Sequence, residues 1–380
     1  MNSKDIILRR LSNQQISAQD LTTPQELVRW MGCIQAQDFA GAKWAIGCRL
    51  RKATDAGIEK DFGEGKILRT HVLRPTWHFV APEDIRWMLQ LSAPRLKAFN
   101  KGSYGKLGID ETALRKSKKI IEKVLDGGPP LTRVELATEL IKKKINTDDI
   151  RLAYLLMDAE LDGVICSGAR NGKQFTYTLL GTRVLPMGKM DRQTAIAELA
   201  KRYFTSRGPV TLPDFAWWSG MTLSDAKKGI DMIKAYLSHE SINGQVYWFS
   251  REMQNPGRNP VSSAHSAVPA LPVAPVHRAT PARPHAPVHL LPAFDEYAIA
   301  YTDRTIILPE KHRLATGNGI FKPLILVKGR IAGTWRRTEH GNNVIVEITP
   351  AMPLSKALQR SVHVAAEEYA RFLGKELTIS

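Results

Sequence analysis

Two uncharged amides and a carboxylate stand close together in the run GCIQAQDF, residues 32–39. Gln35 and Gln37 are two residues apart, and Asp38 follows directly. If the run is extended, residues two apart project from the same face, roughly 7 Å apart, and both amides can reach one water molecule. On a continuous helix the two side chains would diverge by about 200° and share no site. We therefore predict an extended run in which Gln35 and Gln37 orient one water molecule.

The same residues allow two other interpretations, and the sequence leaves them open. An amide carbonyl accepts a hydrogen bond from water without taking up a proton, so paired glutamines suit a reaction that needs no proton transfer. Asp38 is the alternative, as a conventional carboxylate base. The amides can also be structural and bridge two parts of the fold.

Other patterns that carry chemistry are absent from the sequence. No GxxxxGK[ST], GxGxxG, HExxH or GxSxG occurs, so nucleotide hydrolysis, dinucleotide use and serine hydrolase chemistry have no support. His71 and His78 are seven residues apart, and His285 and His289 enclose a proline. Neither arrangement is typical of a zinc site. We predict no metal site and no cofactor.

Cysteine usage and hydropathy indicate the compartment. Cys33, Cys48 and Cys166 are far apart and form no Cys-x-x-Cys pair, which argues against a disulfide framework and fits a reducing cytosol. No apolar run approaches the roughly 18 residues of a membrane span. The N-terminus, MNSKDIILRRLSNQQIS, lacks the apolar region of a secretory signal. We predict a cytoplasmic protein with no membrane partner.

A strong excess of positive charge indicates a polyanionic partner. The chain has 54 Lys and Arg against 37 Asp and Glu, a formal net charge of +17. From residue 95 to residue 144, thirteen Lys and Arg face six Asp and Glu, an excess of seven. Any single basic run can be a solvated helix face, but the imbalance of the whole chain favours nucleic acid.

The order of elements repeats three times along the first 253 residues. Each segment contains helical patterns followed by two short strands, and the third ends in SINGQVYWFS, whose Asn-Gly pair is typical of a hairpin turn. Helices followed by a β-hairpin follow the winged-helix plan. We predict three winged-helix units, over residues 1–95, 96–186 and 187–253.

The rest of the chain differs in kind. Residues 254–289 hold eight prolines and predict an extended linker or strap. After it, HLLPAFDEYAIAY, RTIILP, FKPLILVKGRIAGTWRR and NNVIVEITP read as successive strands, and SKALQRSVHVAAEEYARFLG as a closing helix. We predict a small β-barrel domain over residues 290–380 and an α+β fold overall.

These stretches resemble a known family, the winged-helix DNA glycosylases of the AlkZ and YcaQ type. The resemblance is carried in order by IQAQD, LRTHVLRPTWHFVAPEDI, RGPVTLPDFAWWSG and LLPAFDEYAIAYTDR, and it covers nearly the whole chain. Members of that family are bacterial, metal-free and monofunctional. Three tandem winged-helix units and a C-terminal β-barrel form a concave DNA-binding channel in them, and they excise bulky or crosslinking N-alkylated purines.

The resemblance also implies the catalytic residues. AlkZ-like members carry glutamine, an apolar residue and a second glutamine, whereas YcaQ-like members carry aspartate at the third position. Gln35, Ala36 and Gln37 place this sequence on the AlkZ side. The resemblance thus implies a glycosylase that acts on double-stranded DNA with purines alkylated at N7 or N3, including those in interstrand crosslinks. Three tandem units in one chain also suit a monomer. The alternative is a non-catalytic winged-helix protein that binds DNA as a regulator or architectural factor.

Side chains that could contact DNA occur in three places. The hairpin sequence RTHVLRPTWHF can be a wing that touches bases and phosphates, or an amphipathic hairpin with Trp77 in the core. Arg304 can hold a phosphate or organise the C-terminal domain together with Asp295, Tyr297 and Asp303. The predicted DNA-binding residues are Arg69, His71, Arg74, Trp77, His78, Lys118, Lys119 and Arg304.

Overall fold

Helices and short antiparallel hairpins alternate along most of the chain in this computed structural model. The structure describes residues 1–148, 150–186, 188–251, 287–308 and 321–380. The predicted strap over 254–289 lies outside these residues except for its last three, and a strand has begun by Val288. The chain forms two compact units. The first unit combines Met1–Ile58 with Ile196–Ser380, and the second unit is Glu59–Ala195.

The N-terminal half of the chain holds helices α1 to α9 and strands β1 to β6. In chain order they are α1 (Ser3–Asn13), α2 (Pro24–Met31), β1 (Ile34–Gln35), α3 (Phe39–Gly47), α4 (Asp55–Glu64), β2 (Leu68–His71), β3 (Trp77–Val80), α5 (Pro82–Lys106), α6 (Glu111–Leu125), β4 (Leu131–Thr132), α7 (Arg133–Lys142), α8 (Arg151–Leu161), β5 (Ile165–Ser167), β6 (Thr176–Leu179) and α9 (Leu180–Arg183).

The C-terminal half holds the remaining elements, with a short 3-10 helix (Lys234–Tyr236) between α12 and β7. They are α10 (Arg192–Arg207), α11 (Leu212–Ser219), α12 (Leu223–Ile233), β7 (Leu237–Ile242), β8 (Gln245–Ser250), β9 (Val288–Leu291), α13 (Glu296–Ile299), β10 (Leu324–Val327), β11 (Arg330–His340), β12 (Asn343–Pro350), α14 (Lys356–Leu373) and β13 (Glu376–Ile379). The fold is therefore mixed α+β.

Local capping signals set several helix starts. In the sequence LTRVELATELIKK, Thr132 and Glu135 have the spacing that predicts a capping box, and the structure confirms it at the start of α7. Thr23 begins α2 and Thr211 begins α11 in the same way, each accepting a hydrogen bond from the residue three positions on. A cap of this kind contributes about 1 kcal/mol, because it satisfies a backbone N–H that the helix leaves without a partner.

The second unit is built on helices around one apolar cluster. Helix α6 is amphipathic, and it buries Leu114, Ile121 and Leu125 against residues of α7 and α8 such as Leu136. The antiparallel pair β2–β3 confirms the hairpin that RTHVLRPTWHF predicts. In the second hairpin, β6 lies within GARNGKQFTYTLL, which predicts a hairpin by itself, but its partner β5 comes from the preceding stretch, whose apolar spacing predicts a helix. Helix α5, with 25 residues, was not part of the sequence prediction.

In the first unit, β7 and β8 form the predicted Asn-Gly hairpin. Asn243 and Gly244 both have positive φ, +49° and +78°. This is the backbone that a two-residue turn of type I′ needs, because its twist matches that of the flanking strands. The register pairs Ile242 with Gln245 across that turn.

The C-terminal part of the first unit is a five-stranded sheet covered by α14. The strand order is β13-β12-β11-β10-β9, with β13 parallel to β12 and the other neighbours antiparallel. Tyr369 of α14 packs edge-on against Trp44 and Trp335, each at 5.0 Å between ring centroids. Helix α14 confirms the predicted closing helix.

Several predictions for this part need correction. The described part of the stretch RTIILP, residues 304–308, is a turn and not a strand; Leu308 donates its backbone N–H to the Arg304 carbonyl, and Ile307 is buried. The run after Asp295 is the short helix α13, which Asp295 caps by accepting from the Tyr297 N–H. Short apolar runs have no periodicity that separates a strand from a turn or helix. Among the described residues the sheet is open, with β9 and β13 at its edges, and β13 was not predicted.

None of the described helices combines the length and the apolar character that a membrane span requires.

A stability prediction comes from the packing of α3 against α14. A Cβ added at Gly47 would lie 2.5 Å from Cε2 of the buried Phe372 ring. Gly47→Ala is therefore expected to lower the free energy of unfolding by about 1–3 kcal/mol, because the ring must move. The matched control is Gly102→Ala on α5, where an added Cβ meets nothing within 4 Å. That change should raise stability by up to about 1 kcal/mol. Urea unfolding followed by circular dichroism measures both; equal effects of the two changes would contradict this packing.

Candidate active site

The run with the paired glutamines, residues 32–38, lies between α2 and α3 and is called the glutamine loop below. Gln35 ends strand β1, Gln37 lies in a bend, and α3 begins at Phe39. The predicted extended conformation is confirmed for Ile34 and Gln35, and the chain bends at Gln37. Gln35 is 9% exposed, whereas Gln37 is exposed. One amide is thus set into the protein and the other faces solvent.

The backbone of Gln35 is held by a buried carboxylate. The Gln35 N–H donates to Oε1 of Glu296 at 3.0 Å. The other oxygen, Oε2, accepts from Nη2 of Arg207 at 2.6 Å and from Nε1 of Trp218 at 2.8 Å. The side chains of Arg207 and Glu296 are 0% and 1% exposed. The start of the loop is therefore fixed by a charged network that water does not reach.

Arg207 holds the same chain segment from its other side. Its Nη1 donates to the carbonyl oxygen of Met31 at 2.6 Å, and its Nη2 donates to that of Cys33 at 3.0 Å. Between them Gly32 has φ of +74°, a backbone conformation that a side chain would strain. The turn that joins α2 to β1 is thus fixed by one guanidinium.

A second buried ion pair fixes the end of α3. Nη1 and Nη2 of Arg49 donate to the two carboxylate oxygens of Asp295, each at 2.8 Å. Burial by itself lowers the pKa of Arg49, but the Asp295 carboxylate more than offsets this, and the pKa lies above its ordinary value. Burial also raises the pKa of the adjacent Cys48 thiol to about 12. Arg49 therefore stays charged and Cys48 stays a neutral thiol.

Asp38 has two structural contacts. Its Oδ1 accepts from the Gly41 N–H at 3.1 Å, as the N-cap of α3. Its Oδ2 lies 3.5 Å from Nη2 of Arg337 on β11. Both oxygens are engaged in holding the far end of the loop. The alternative role of Asp38 as a base remains a prediction.

The segment from Asp295 to Thr302 contacts several other elements of the first unit. Tyr297 donates its hydroxyl to the Gly329 carbonyl at 2.8 Å, and Tyr301 donates to the Arg207 carbonyl at 3.0 Å. Thr302 donates through its backbone N–H and its hydroxyl to Asp214, each at 2.7 Å. Other elements of the first unit therefore hold this segment in place, in addition to its contact with the glutamine loop.

The predicted DNA-binding residues of the β2–β3 hairpin take part in internal packing. Arg69 is buried between the rings of Trp77 and Phe175, with its guanidinium carbon 4.2 and 4.4 Å from their centroids. Burial lowers the pKa of Arg69 to about 10. His71 is buried and its Nδ1 meets the carboxylate of Glu160.

The remaining predicted contacts differ in their exposure. His78 is buried, while Arg74 is half-buried with its Nη2 3.3 Å from the His78 ring. Lys118 pairs with Asp158 at 2.7 Å and also with Asp162, whereas its neighbour Lys119 is exposed. Arg304 is half-buried and donates from Nε to the Ala298 carbonyl at 2.8 Å.

The placement gives these residues unequal access to DNA. Lys119 is exposed, and Arg74, Trp77 and Arg304 are half-buried; Lys118 is held in ion pairs. A role in DNA binding remains a prediction for all eight.

Sequence reasoning missed the residues that hold the loop. Glu296 follows Asp295 in LLPAFDEYAIAYTDR, and Arg207 precedes Gly208 in RGPVTLPDFAWWSG, both stretches that carry the family resemblance. The available signal was a carboxylate within an apolar run, a position where burial demands a partner. Among the described residues, no cluster of three His, Cys, Asp or Glu is arranged to hold a metal ion.

Comparisons with known proteins agree on one family. The model of the family described as DNA glycosylase AlkZ-like matches residues 28–372. An interstrand DNA cross-link repair glycosylase of Streptomyces sahachiroi is 22% identical over an alignment 384 residues long, gaps included. The alignment covers 95% of this chain and 95% of that protein. The solved structure of Streptomyces sahachiroi DNA glycosylase AlkZ has a TM-score of 0.76 and 20% identity and covers 100% of both chains. That likeness shows the fold.

The buried network predicts unequal roles for two adjacent tryptophans. Trp218 is 0% exposed and donates to the Glu296 carboxylate, whereas Trp217 is 52% exposed and donates to the Ile299 carbonyl at 3.1 Å. Trp218→Phe should lower the free energy of unfolding by about 2–4 kcal/mol, through a lost charged hydrogen bond and a cavity. Trp217→Phe should cost below about 1 kcal/mol. Chemical unfolding of both variants measures this, and a larger loss for Trp217→Phe would refute the assignment.

Proposed function

The chain belongs to the AlkZ-like DNA glycosylase family, and from that premise we propose that it is a DNA-repair glycosylase for N-alkylated purines. It hydrolyses the N-glycosidic bond of purines alkylated at N7 or N3 and unhooks interstrand crosslinks made through such bonds. Gln35 and Gln37 position the hydrolytic water. The curated relative of Streptomyces sahachiroi, whose name gives interstrand cross-link repair, supports the choice of substrate class.

The chemistry explains why amides suffice. Cleavage of an N-glycosidic bond passes through an oxocarbenium-like transition state. A purine alkylated at N7 or N3 already carries positive charge and departs as a neutral base, so the enzyme need not protonate it. What remains is to orient a water molecule and to stabilise the cationic sugar. A glutamine carbonyl accepts from the water and directs its dipole toward the cation.

The observation that carries the proposal is the fixed position of the glutamine loop. Glu296 and Arg207 hold the chain from Met31 to Gln35, and the contacts of Asp38 hold the other end. An uncharged catalyst has no strong field to guide a substrate, so its position must be set by the scaffold. Gln37, which is exposed, is free to meet a DNA strand while Gln35 stays in a fixed orientation.

The basic surface of the protein supplies the affinity for DNA. The net charge of +17 gives a sequence-independent attraction to phosphates, and binding should fall steeply with salt. Helix α6 contributes exposed cations at Arg115, Lys116, Lys119 and Lys123. The predicted side chains of the β2–β3 hairpin and Arg304 are the other proposed contacts.

Three winged-helix units followed by the open C-terminal sheet are the proposed organisation of this DNA-binding protein. Its support is the order of elements: α6, α7 and α8 precede the β5–β6 hairpin, and α10, α11 and α12 precede the β7–β8 hairpin. The chain acts as a monomer, because tandem units within one chain suit the wrapping of a single duplex.

The first test is base release from a duplex with one N7-methylguanine. Gln35→Ala and Gln37→Ala should each slow single-turnover release about 100-fold, with DNA affinity kept, since each removes a positioned dipole. The control is Gln359→Ala, an exposed glutamine of α14. Strand cleavage after hot alkali reports the abasic product, and strands should stay intact without it.

Failure has a defined meaning for this proposal. If the wild type releases no base from N7-methylguanine, from bulkier N7 adducts or from crosslinked duplex, yet binds DNA, the glycosylase proposal falls. The non-catalytic DNA-binding alternative then stands. Equal rates for the wild type and both glutamine variants would leave a glycosylase whose catalytic residues lie elsewhere.

The proposed mechanism needs no metal ion. Release from N7-methylguanine should therefore keep its rate after dialysis against EDTA and on addition of Mg²⁺, because orientation of water by amides uses no Lewis acid. Atomic emission analysis of the dialysed protein confirms that metal has been removed. A rate that falls with EDTA and returns with one divalent cation would contradict the mechanism.

A further inference from the structure

We propose that Glu296 is a positioning residue for base excision, which acts through its hydrogen bond to the backbone N–H of Gln35. This inference rests on the proposed function and deepens it. Glu296 reaches no substrate in this role: it is 1% exposed and its contacts are with the protein. Its task is to set the direction in which strand β1 delivers the Gln35 side chain.

The two carboxylate oxygens of Glu296 accept hydrogen bonds from different donors. Oε2 accepts hydrogen bonds from Arg207 and Trp218, which fix the carboxylate in place. Oε1 receives the N–H of Gln35 at 3.0 Å. The residue that anchors the carboxylate therefore also grips the chain before Gln35, since Arg207 donates to Met31 and Cys33. The Glu296 carboxylate therefore links α10 and α11 to the glutamine loop, and it fixes the position of the loop relative to these helices.

The charge itself is required for this arrangement. An amide in place of the carboxylate offers one acceptor oxygen and one NH₂ group. If its oxygen faces Gln35, its NH₂ group points at the donors of Arg207 and Trp218. If its oxygen faces those donors, its NH₂ group points at the N–H of Gln35. In either orientation donors meet donors, and the backbone of β1 shifts.

A small shift at this place has a large effect on rate. The amide of Gln35 must meet a water molecule placed for in-line attack, and a misplacement of about 1 Å costs on the order of 100-fold in rate. DNA affinity comes from phosphate contacts over a wide surface, so it is insensitive to the same shift. A positioning role therefore predicts a loss of rate without a loss of affinity.

Asp295 provides a matched control. It precedes Glu296, is 1% exposed and pairs with a buried arginine, Arg49, as Glu296 does with Arg207. Its ion pair holds the end of α3 and not the backbone of Gln35. Asp295→Asn keeps an oxygen for the Tyr297 N–H, so α13 stays capped. Loss of stability is common to both changes, and only Glu296 contacts the glutamine loop.

A second substitution separates position from charge. Glu296→Asp keeps the ion pair with Arg207 but shortens the reach by one methylene, about 1.5 Å. The contact with Gln35 is then lost while the buried guanidinium keeps its counter-charge. Glu296→Asp should fold well even if Glu296→Gln is too unstable to purify, since an unpaired buried arginine costs more than a shortened pair.

The experiment measures rate, affinity and backbone protection in parallel. Glu296→Asp, Glu296→Gln and Asp295→Asn are compared with the wild type for single-turnover release of N7-methylguanine, for DNA affinity and for thermal unfolding. We expect both Glu296 variants to release base about 100-fold more slowly. Asp295→Asn should stay within about threefold of the wild type, because it acts on a different segment. DNA affinity should change little in all three.

Hydrogen–deuterium exchange of peptides that cover residues 33–37 reports on the hydrogen bond from Gln35 to Glu296 independently of glycosylase activity. The Gln35 amide should exchange roughly tenfold faster in the Glu296 variants and at the wild-type rate in Asp295→Asn. Unchanged exchange in Glu296→Asp overturns the contact. The positioning role is also overturned if the rates of base release follow thermal stability, with Asp295→Asn as slow as Glu296→Gln. Glu296 then has a general structural role.

The two proposals fail differently. A wild type that releases no base from any adduct removes the proposed function and with it the catalytic purpose of Glu296. An active wild type with fully active Glu296→Asp removes the positioning role alone and leaves the glycosylase intact.

Discussion

Two adjacent carboxylates, Asp295 and Glu296, lie in the interior of the first unit, where an unpaired charge costs several kcal/mol. Each is matched by a buried arginine from a different part of the chain, Arg49 after α3 and Arg207 at the end of α10. Removing one partner of such a pair costs about 3–5 kcal/mol, because the other charge is left without compensation. The N-terminal segment, the α10–α11 region and the C-terminal segment are therefore bound to assemble in one way.

This constraint suits the proposed site, which is made of uncharged groups. The electric field of a charged histidine or carboxylate helps to orient the groups that it acts on. An uncharged amide depends on the protein to hold it in the right position. In this chain the backbone of the glutamine loop is held at both ends, by Glu296 at Gln35 and by Gly41 and Arg337 at Asp38. The charges that the proposed chemistry does not use thus support the glutamine loop from the interior, where they are shielded from water.

Net charge and surface charge are different quantities in this protein. Arg49 and Arg207 are balanced by buried carboxylates, and Lys118 is balanced by Asp158 and Asp162. These cations add to the net charge while each is already paired with a carboxylate of the protein. The exposed cations of α6 are, by contrast, accessible to solvent. A sequence excess of positive charge therefore indicates a polyanionic partner, and it does not indicate which side chains meet that partner.

The sequence by itself determined the local elements and the catalytic candidates. The capping box at Thr132, the Asn243-Gly244 hairpin and helix α14 each depend on residues a few positions apart, and all were predicted. The paired glutamines were found by their spacing and their family pattern, and the extended conformation was predicted correctly as far as Gln35.

Only the tertiary structure decided which residues hold those candidates. Glu296 is 261 positions from Gln35 and 89 from Arg207, so no local pattern links them. Contacts between distant residues also explain why the run after Asp295 is a helix and not the predicted strand. Its apolar residues fit either state, and contacts with Asp214 and Gly329 fix the segment. Local free energies choose helices, turns and caps, whereas the pairing of buried charges is settled only when the whole chain has excluded water.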